Sequence, residues 1–350
     1  MITEGDRFAG LREQGEAGGM AEQRPADARP QPSAVAPRPL LLRILDVPVH
    51  WAWLDPLAGP VRDLVHRVEP RWLADLLHGS PIGHPLHPIL AQVVVGSWTS
   101  SALVDALTLT GLVPDDLEEG AEAASTTLAA TGLAAALPTI ASGWTDWSDL
   151  HEDQQRLGLV HAAGNYAATA MVALSLVQRW RGRRTSGRLW SMAALTTATA
   201  GAALGGHLAY RWAAGASHAE HVPHVAPEGW YAVGAWDDLE VDSPAKAQLG
   251  DVPVVVVRTH TGVTVLADSC SHLAAPLSGG RVVRERGEDC LVCPWHGSTF
   301  RLADGSVAHG PATAPQPVLA SRVEPDGTVL ARVVELPGVA ASPGLDSRAG

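Results

Sequence analysis

Cysteine is scarce, with three residues in 350. Two of them, Cys270 and Cys293, belong to a ligand pattern within residues 270–296, so no disulfide framework can form and pairing does not fix the redox compartment. Basic charge is also short: 25 Lys and Arg stand against 37 Asp and Glu, a formal net charge of −12. Phosphate binding needs clustered cations, so a nucleic-acid partner is excluded. The one dense basic run, residues 179–188, lies between two apolar segments and reads as a membrane-flanking loop. No basic start followed by an apolar core stands at the N-terminus, so no signal peptide is expected. Residues 23–39 carry too little apolar surface to offset their ordering entropy, and residues 1–58 are expected to form a disordered tail.

Four long segments are nearly free of charge: 88–112 (holding only Asp105), 123–145, 157–178 and 189–210. Each reaches the roughly 20 residues that a bilayer-spanning helix needs. They lack the apolar stripe of a surface helix in a soluble bundle, and Trp144, Trp147, Trp180, Trp190 and Trp212 gather at their ends. Gly132, Gly164, Gly201, Gly205 and Gly206 permit close helix packing in lipid. A soluble four-helix bundle is the alternative, because Ala, Thr and Gly dilute the apolarity. The expectation is a multi-pass transmembrane bundle over 81–215 in the cell membrane. Ahead of it, residues 59–80 place Val61, Leu64, Val65, Val68, Trp72, Leu73, Leu76 and Leu77 at helical spacing around Pro70. That suits a helix on the membrane surface or packed on the bundle. Signals for orientation conflict: the arginines between helices three and four favour a cytoplasmic loop, whereas a tail without a signal favours cytoplasmic termini. The cytoplasmic placement of both termini is the reading taken.

Alternating spans put the start of helix one, the end of helix two, the start of helix three and the end of helix four on one side. His84, His87, His161 and His207 lie there, with Trp144, Asp146, Trp147 and His151. Polar groups in lipid are costly, so His84, His87, His161 and His207 form a candidate membrane site for haem, another metal ion or a quinone. The plainer reading is that they hydrogen-bond helix ends. The motifs Gly83-His-Pro-Leu-His-Pro88, Gly143-Trp-Thr-Asp-Trp147 and Gly205-Gly-His-Leu-Ala-Tyr-Arg211 resemble a family of uncharacterised four-helix membrane proteins, which implies membrane location. His218, His221 and His224 fall in a linker, 216–228, that reads as solvated.

From residue 229 Val-rich runs alternate with turns, predicting a strand at 230–234, a hairpin of 252–257 with 263–267, a strand at 290–293 and a hairpin of 318–323 with 328–333 closed at Asp326-Gly327. Such short strands fit a small antiparallel sandwich over 229–336, followed by a tail, 337–350. Within it stand Cys270-Ser-His272, twenty residues, and Cys293-Pro-Trp-His296. Two Cys-plus-His pairs can hold two irons, one through thiolates and one through imidazoles, which is the ligand set of a Rieske [2Fe-2S] centre. Tetrahedral zinc suits the same residue types. Cys290 reads as a small buried hydrophobe.

This region resembles the ferredoxin-type Rieske proteins, through both ligand motifs, Pro276-Leu277, Gly280, Ser298, Phe300, Asp304-Gly305 and Gly310-Pro-Ala-Thr-Ala-Pro-Gln-Pro317. The resemblance implies that Cys270 and Cys293 hold one iron, that His272 and His296 hold the other, and that the Pro311 segment covers the cluster. Where high-potential respiratory relatives carry a loop disulfide, Ala275 and Trp295 stand here, and Phe300 replaces a Tyr hydroxyl. Ser298 remains as a donor to a bridging sulfide. A potential in the lower part of the Rieske range, roughly −150 to +300 mV, is expected.

The architecture expected is thus an all-α transmembrane bundle followed by an all-β Rieske-type sandwich. Only 54 residues follow His296, too few for the mononuclear iron domain of an oxygenase. The function expected is a membrane-anchored carrier of single electrons between donor and acceptor proteins or quinone. A membrane oxidoreductase acting at the histidine cluster and a cluster-based redox sensor are the alternatives. Whether the chain is itself an enzyme does not follow from the sequence.

Overall fold

The computed structural model describes residues 39–334. The described residues fall into two units, divided between Leu42 and Arg43. Of the first, only residues 39–42 are described, where helix α1 (Leu40–Leu45) begins; the second holds every later element. The expected tail lies outside the described residues up to 38, but from 43 to 58 it is folded. Turns at Val47–His50 and Ala52–Leu54 lead into α2 (Asp55–Val68). Val49, Leu54 and Ala58 are buried against Trp147, Leu157, Leu159 and Leu208. Arg156 fixes this segment, with Nε 2.6 Å from Asp55 and Nη1 donating to the Val49 carbonyl at 3.0 Å. The few apolar residues of an otherwise polar stretch find a surface to cover, which composition alone does not reveal.

After α3 (Arg71–His78), four long helices form the bundle: α4 (Leu86–Leu109), α5 (Glu118–Ser148), α6 (Glu152–Trp180) and α7 (Arg184–Arg211). Its core is Val94, Trp98, Ala129, Ala136, Ala168, Val172, Ala194 and Ala198. Small residues permit the close approach: a Cβ at Gly132 would lie 2.4 Å from the Trp98 ring. Three helices, α4, α5 with its preceding turn, and α6, are long and apolar enough to cross a membrane. The fourth expected span falls in α7, which is 28 residues long but is diluted by Arg, Ser, Thr and Gly.

The basic run forms the expected exposed turn between α6 and α7 at Arg181, Arg183 and Arg184, but its two ends behave differently. Arg179 and Arg188 turn into the bundle end and are buried. Arg179 reaches Asp105 Oδ2 at 2.5 Å and Glu122 Oε1 at 2.9 Å, while Arg188 reaches Glu122 Oε2 at 3.0 Å and Glu118 Oε1 at 2.9 Å. Ser125 adds a 2.6 Å bond to Asp105 Oδ1. Arg181, Arg183 and Arg184 remain exposed at this turn, so the charge bias that favours a cytoplasmic loop stands.

A short helix, α8 (Val222–Val225), leads to the β domain. One sheet has six strands in the order β1-β10-β9-β4-β3-β2, the other four in the order β5-β6-β7-β8. The strands are β1 Tyr231–Ala235, β2 Pro244–Leu249, β3 Val252–Thr259, β4 Gly262–Ala267, β5 Arg281–Glu285, β6 Glu288–Val292, β7 Thr299–Arg301, β8 Val307–His309, β9 Val318–Val323 and β10 Thr328–Arg332. All strand pairs in the two sheets are antiparallel. The two expected hairpins are β3–β4 and β9–β10, in the registers Val256↔Val265 and Ala331↔Ser321. Val255, Val257, Leu266, Leu277, Leu291 and Phe300 form the core beneath the metal-binding end.

Candidate metal centre and its dock on the bundle

The two ligand loops follow β4 and β6. The first is held by Gln316, which is 1 % exposed. Its Nε2 donates to the carbonyls of Ala267 at 2.8 Å and Ser269 at 2.7 Å, and its Oε1 accepts from the Ser271 N–H at 2.9 Å. The Ser271 hydroxyl donates to the Ala314 carbonyl at 2.8 Å. Asp268 accepts from the Ser278 amide at 2.7 Å, closing the same loop from the other side. The sequence showed Gln316 only as part of a motif; its role depends on which carbonyls meet it. Replacing it by Ala leaves two buried carbonyls and an amide unsatisfied, an expected loss of about 2 kcal/mol. Thermal unfolding and the rate of iron loss to a chelator measure this, and unchanged values in Gln316→Ala would contradict the clamp.

The four residues come together as two pairs. Cys270 and Cys293 neighbour one another, each acting on the other's thiol, and the amides of His272 and Leu273 act on the Cys270 sulfur, those of Trp295 and His296 on the Cys293 sulfur. His272 and His296 lie with ring centroids 5.1 Å apart at 90°. Among the described residues no group of three or more His, Cys, Asp or Glu is placed to hold one ion. Burial pushes His272 down to about 3 and lowers His296 as well, so both imidazoles are neutral, the form that binds metal. The Ser298 hydroxyl accepts from the Ala312 amide at 3.0 Å, leaving its O–H to donate elsewhere. Phe300 is buried at 0 % exposure and offers no such donor. Pro311, joined to Gly310 by a cis peptide, lies in the segment that runs past Ser298.

The imidazole edge of this site faces the bundle. His151, at the turn between α5 and α6, packs its ring 5.7 Å from Trp295 and 6.4 Å from His296. Helix α3 makes the main dock: Asp75 Oδ2 is 2.7 Å from His309 Nδ1, Asp75 Oδ1 accepts from the Gly310 amide at 2.9 Å, and His309 Nε2 is 2.5 Å from Glu285. Arg71 reaches Glu285 at 3.3 Å and the Thr299 hydroxyl at 3.2 Å. The linker joins in, since the His218 amide donates to the Ser271 carbonyl at 2.9 Å. Gly79 ends α3 with φ 87°, and a Cβ there would strike the His84 carbonyl.

Beneath the dock lies a titratable cluster. His78 is 3 % exposed, with Nδ1 2.8 Å from Asp146 and Nε2 3.5 Å from Asp149, while His66 approaches Asp149 at 3.4 Å. Burial alone would lower His78, but hydrogen bonds to Asp146 and Asp149 outweigh it and hold it up at about 9. Burial would raise Asp149, yet its bonds from His66 and His78 keep it well below the usual carboxylate range. A cleft of about 460 Å³ opens here, walled by His66, Glu69, His78, Thr145 and Asp149 on one side and by Val283, Val292, His296 and Pro311 on the other.

The histidines expected to converge do so only in part. His87 and His161 face one another with ring centroids 6.3 Å apart. Each donates its Nδ1–H to a backbone carbonyl, Thr139 at 2.9 Å and Gly201 at 2.8 Å. A Cβ at Gly143 would lie 2.8 Å from the His87 ring, so glycine makes its seat. His207 instead pairs with Asp46 at 2.9 Å, and His84 is exposed and bonds the Pro85 carbonyl at 3.1 Å. Segment 43–58, read from sequence as tail, has claimed one of the four. His151, which packs on His296, and Asp149 and His78, which share a cleft with it, were missed as site residues because only the docked domain reveals their neighbour.

Residues 229–324 match the Rieske [2Fe-2S] domain. This region is a Rieske domain. It binds a [2Fe-2S] cluster, and residues 83–218 match a family described as a predicted membrane protein, DUF2231. The chain is 33 % identical over 97 residues to cholesterol 7-desaturase of Caenorhabditis elegans, covering 26 % of this chain and 21 % of that one. It is 35 % identical over 92 residues to the cholesterol 7-desaturase of Xenopus laevis, covering 26 % and 19 %. The chain thus spans about a fifth of the length of these curated relatives. Among solved structures, the ferredoxin of carbazole 1,9a-dioxygenase from Nocardioides aromaticivorans is 24 % identical, covering 31 % of this chain and 99 % of that one, with a TM-score of 0.28. The Rieske domain follows a helical region with helices apolar enough for membrane spans, and Rieske domains transfer electrons to and from partner proteins.

Proposed function

We propose that this protein is a membrane-anchored Rieske electron carrier in which Cys270 and Cys293 bind one iron of the cluster and His272 and His296 the other. The observation that carries the reading is the sorting of the four side chains into neighbouring thiols and an imidazole pair whose ring centroids are 5.1 Å apart. The bound cluster supplies one-electron storage. The surrounding chain does the rest. Amides of His272, Leu273, Trp295 and His296 would stabilise the sulfur charge, the buried Ser298 O–H would donate to a cluster sulfide, and the Pro311 segment would cover the site. The Rieske domain is taken to face the cytoplasm, where clusters are ordinarily inserted, against the charge bias of the exposed Arg181, Arg183 and Arg184.

Phe300 in place of a hydroxyl, with Ser298 as a lone side-chain donor, supports a midpoint potential in the lower part of the Rieske range, roughly −150 to +300 mV. Membranes containing the protein, reduced stepwise and followed by EPR, should show a Rieske signal titrating there, and Cys293→Ala should abolish it. A silent spectrum with stoichiometric zinc, or a midpoint near the top of the range, would overturn the assignment or the tuning argument respectively.

A further inference from the structure

Of the four candidate membrane histidines, His87 and His161 meet, and each belongs to a different half of the bundle. Helices α4 and α5 are tied by the Ser101 and Ser125 hydroxyls at 3.0 Å, and α6 and α7 by the Ser175 hydroxyl, which donates to the Gly187 carbonyl at 2.6 Å. The histidines repeat this pairing. His87 of α4 gives its Nδ1–H to a carbonyl of α5, and His161 of α6 gives its own to a carbonyl of α7. The two rings therefore meet across the seam between the helix pairs, with centroids 6.3 Å apart and planes at 74°.

Both imidazoles are set in the form that ligates metal. A carbonyl can only accept, so each Nδ1 carries the proton and each Nε2 keeps its lone pair. Metal-binding histidines have their other nitrogen anchored in this way. The spacing fits as well. An Nε2–metal bond of roughly 2.0–2.1 Å puts the ion about 3.2 Å from the ring centre, so two rings on opposite sides of one ion have centres roughly 6.4 Å apart. Two rings at the corners of a tetrahedron would come roughly 5.2 Å apart. Glycines make the seats: a Cβ at Gly143 would lie 2.8 Å from the His87 ring, and one at Gly205 2.9 Å from the His161 ring. Asn165 stands beside the second ring, with Nδ2 3.2 Å from His161 Nε2, but its shorter bond, 2.9 Å, goes to the His161 carbonyl of its own helix. That amide can turn aside without unlinking the helices.

We infer that His87 and His161 are the axial ligands of a b-type haem held in the seam between the two helix pairs, and that this haem takes the electron from the cluster; its role as acceptor rests on the proposed function. Ligand count selects the group. Among the described residues no third His, Cys, Asp or Glu joins the pair, so zinc and the oxygen-preferring cations lack ligands. A porphyrin brings four nitrogens with it, and two opposed imidazoles complete six-coordinate iron. Cys290-Leu-Val-Cys293 is followed by proline and not by the histidine of a covalent attachment motif, which makes the haem noncovalent.

The seam lies close beneath the Rieske domain. From Gly143, against His87, α5 runs on to Ser148, roughly 7.5 Å of helix rise. The turn that follows carries His151, packed on His296. The transfer moves one electron. The reduced cluster, with one ferrous and one ferric iron, returns to the diferric state as ferric haem becomes ferrous. No bond forms or breaks and no proton moves, because both imidazoles stay neutral and bound.

Full-length protein, produced in cells supplied with δ-aminolevulinate and purified in detergent, provides the test. The oxidised protein should show a Soret band and a low-spin ferric EPR signal, with haem by the pyridine haemochrome assay stoichiometric with the chain; the reduced protein should show the Rieske signal. Any fraction isolated without haem should gain the same low-spin spectrum on titration with haemin. His87→Ala and His161→Ala should each lose the low-spin spectrum and keep the Rieske signal, which verifies folding, while His84→Ala should keep both. In a redox titration of the wild type, the haem should be reduced at or above the potential of the cluster. A Rieske signal without haem, and no low-spin spectrum on adding haemin, would overturn the inference, as would bound copper in place of haem. An unchanged low-spin spectrum in both alanine variants would overturn the ligand assignment, and a haem reduced only far below the cluster would overturn its role as acceptor. A haem spectrum with no Rieske signal would instead overturn the proposed function.

Discussion

Replacing Arg179 by Leu should destabilise the protein by about 3–5 kcal/mol, because it leaves buried carboxylates without their cation. The Arg179 side chain is 3 % exposed and that of Asp105 1 %. Asp105 lies in α4, Glu122 in α5 and Arg179 in α6, with Arg188 of α7 completing the set. All four helices therefore meet at one charge cluster, and cutting its centre releases them together. In detergent, Arg179→Leu should lose most of its cooperative thermal transition, measured by circular dichroism. The triple variant Arg179→Leu, Asp105→Leu, Glu122→Leu should recover a large share, since an apolar replacement of a whole buried ionic group is often close to neutral. If the single variant melts like wild type, the cluster is not a structural clamp. Recovery in the triple variant separates loss of charge pairing from loss of side-chain volume.

Alkaline conditions should weaken the protein through His78. Its folded-state value of about 9 lies above the ordinary value near 6.5, so its ionic contribution is fully present below about pH 6.5 and is lost as pH rises through 9. The shift corresponds to a contribution of up to about 3 kcal/mol. Asp149 behaves oppositely: depressed by its bonds to His66 and His78, it contributes above its ordinary value near 3.9 and loses that contribution only in strong acid. Unfolding midpoints at pH 6.5 and 9.5 should differ in wild type and much less in His78→Gln, which keeps a donor but cannot ionise in this range. Parallel pH dependence in the two proteins would show that His78 is not the source. Because a Cβ at Gly310 would lie 3.0 Å from the His78 ring, the same alkaline step should loosen the dock of the Rieske domain, visible as a lower protection factor, corrected for the intrinsic pH dependence of exchange, at the Gly310 amide.

Chain organisation was legible in the sequence because each regime carries its own physical signature: uncharged runs of spanning length, then alternating Val-rich strands. The Rieske domain was legible because two close Cys-plus-His couples set among turn-punctuated strands make a distinctive pattern. Strand β2, Pro-Ala-Lys-Ala-Gln-Leu, escaped because its residues have low strand propensity and the strand exists by pairing with β3 over the register Ala245↔Val256. Strands β7 and β8 have three residues each, too few for a period to show. Arg179 and Arg188 misled for a different reason. Their partners, Asp105 and Glu122, are more than fifty residues away in sequence, so a local count reads neutralised charges as free ones. His207 failed to join its expected neighbours because Asp46, 161 residues earlier, supplies a closer partner.

The interlock of α3 with His309 and Gly310, and of His151 with His296, also sets a concentration scale. A domain tethered by a linker as short as 216–228 meets its own bundle at an effective concentration in the millimolar range. A soluble redox protein present at about 1 μM must then bind the imidazole face roughly 10³ times more tightly than the bundle does to share it equally. Small molecules that enter the cleft face no such competition. The tether thus sorts partners by size.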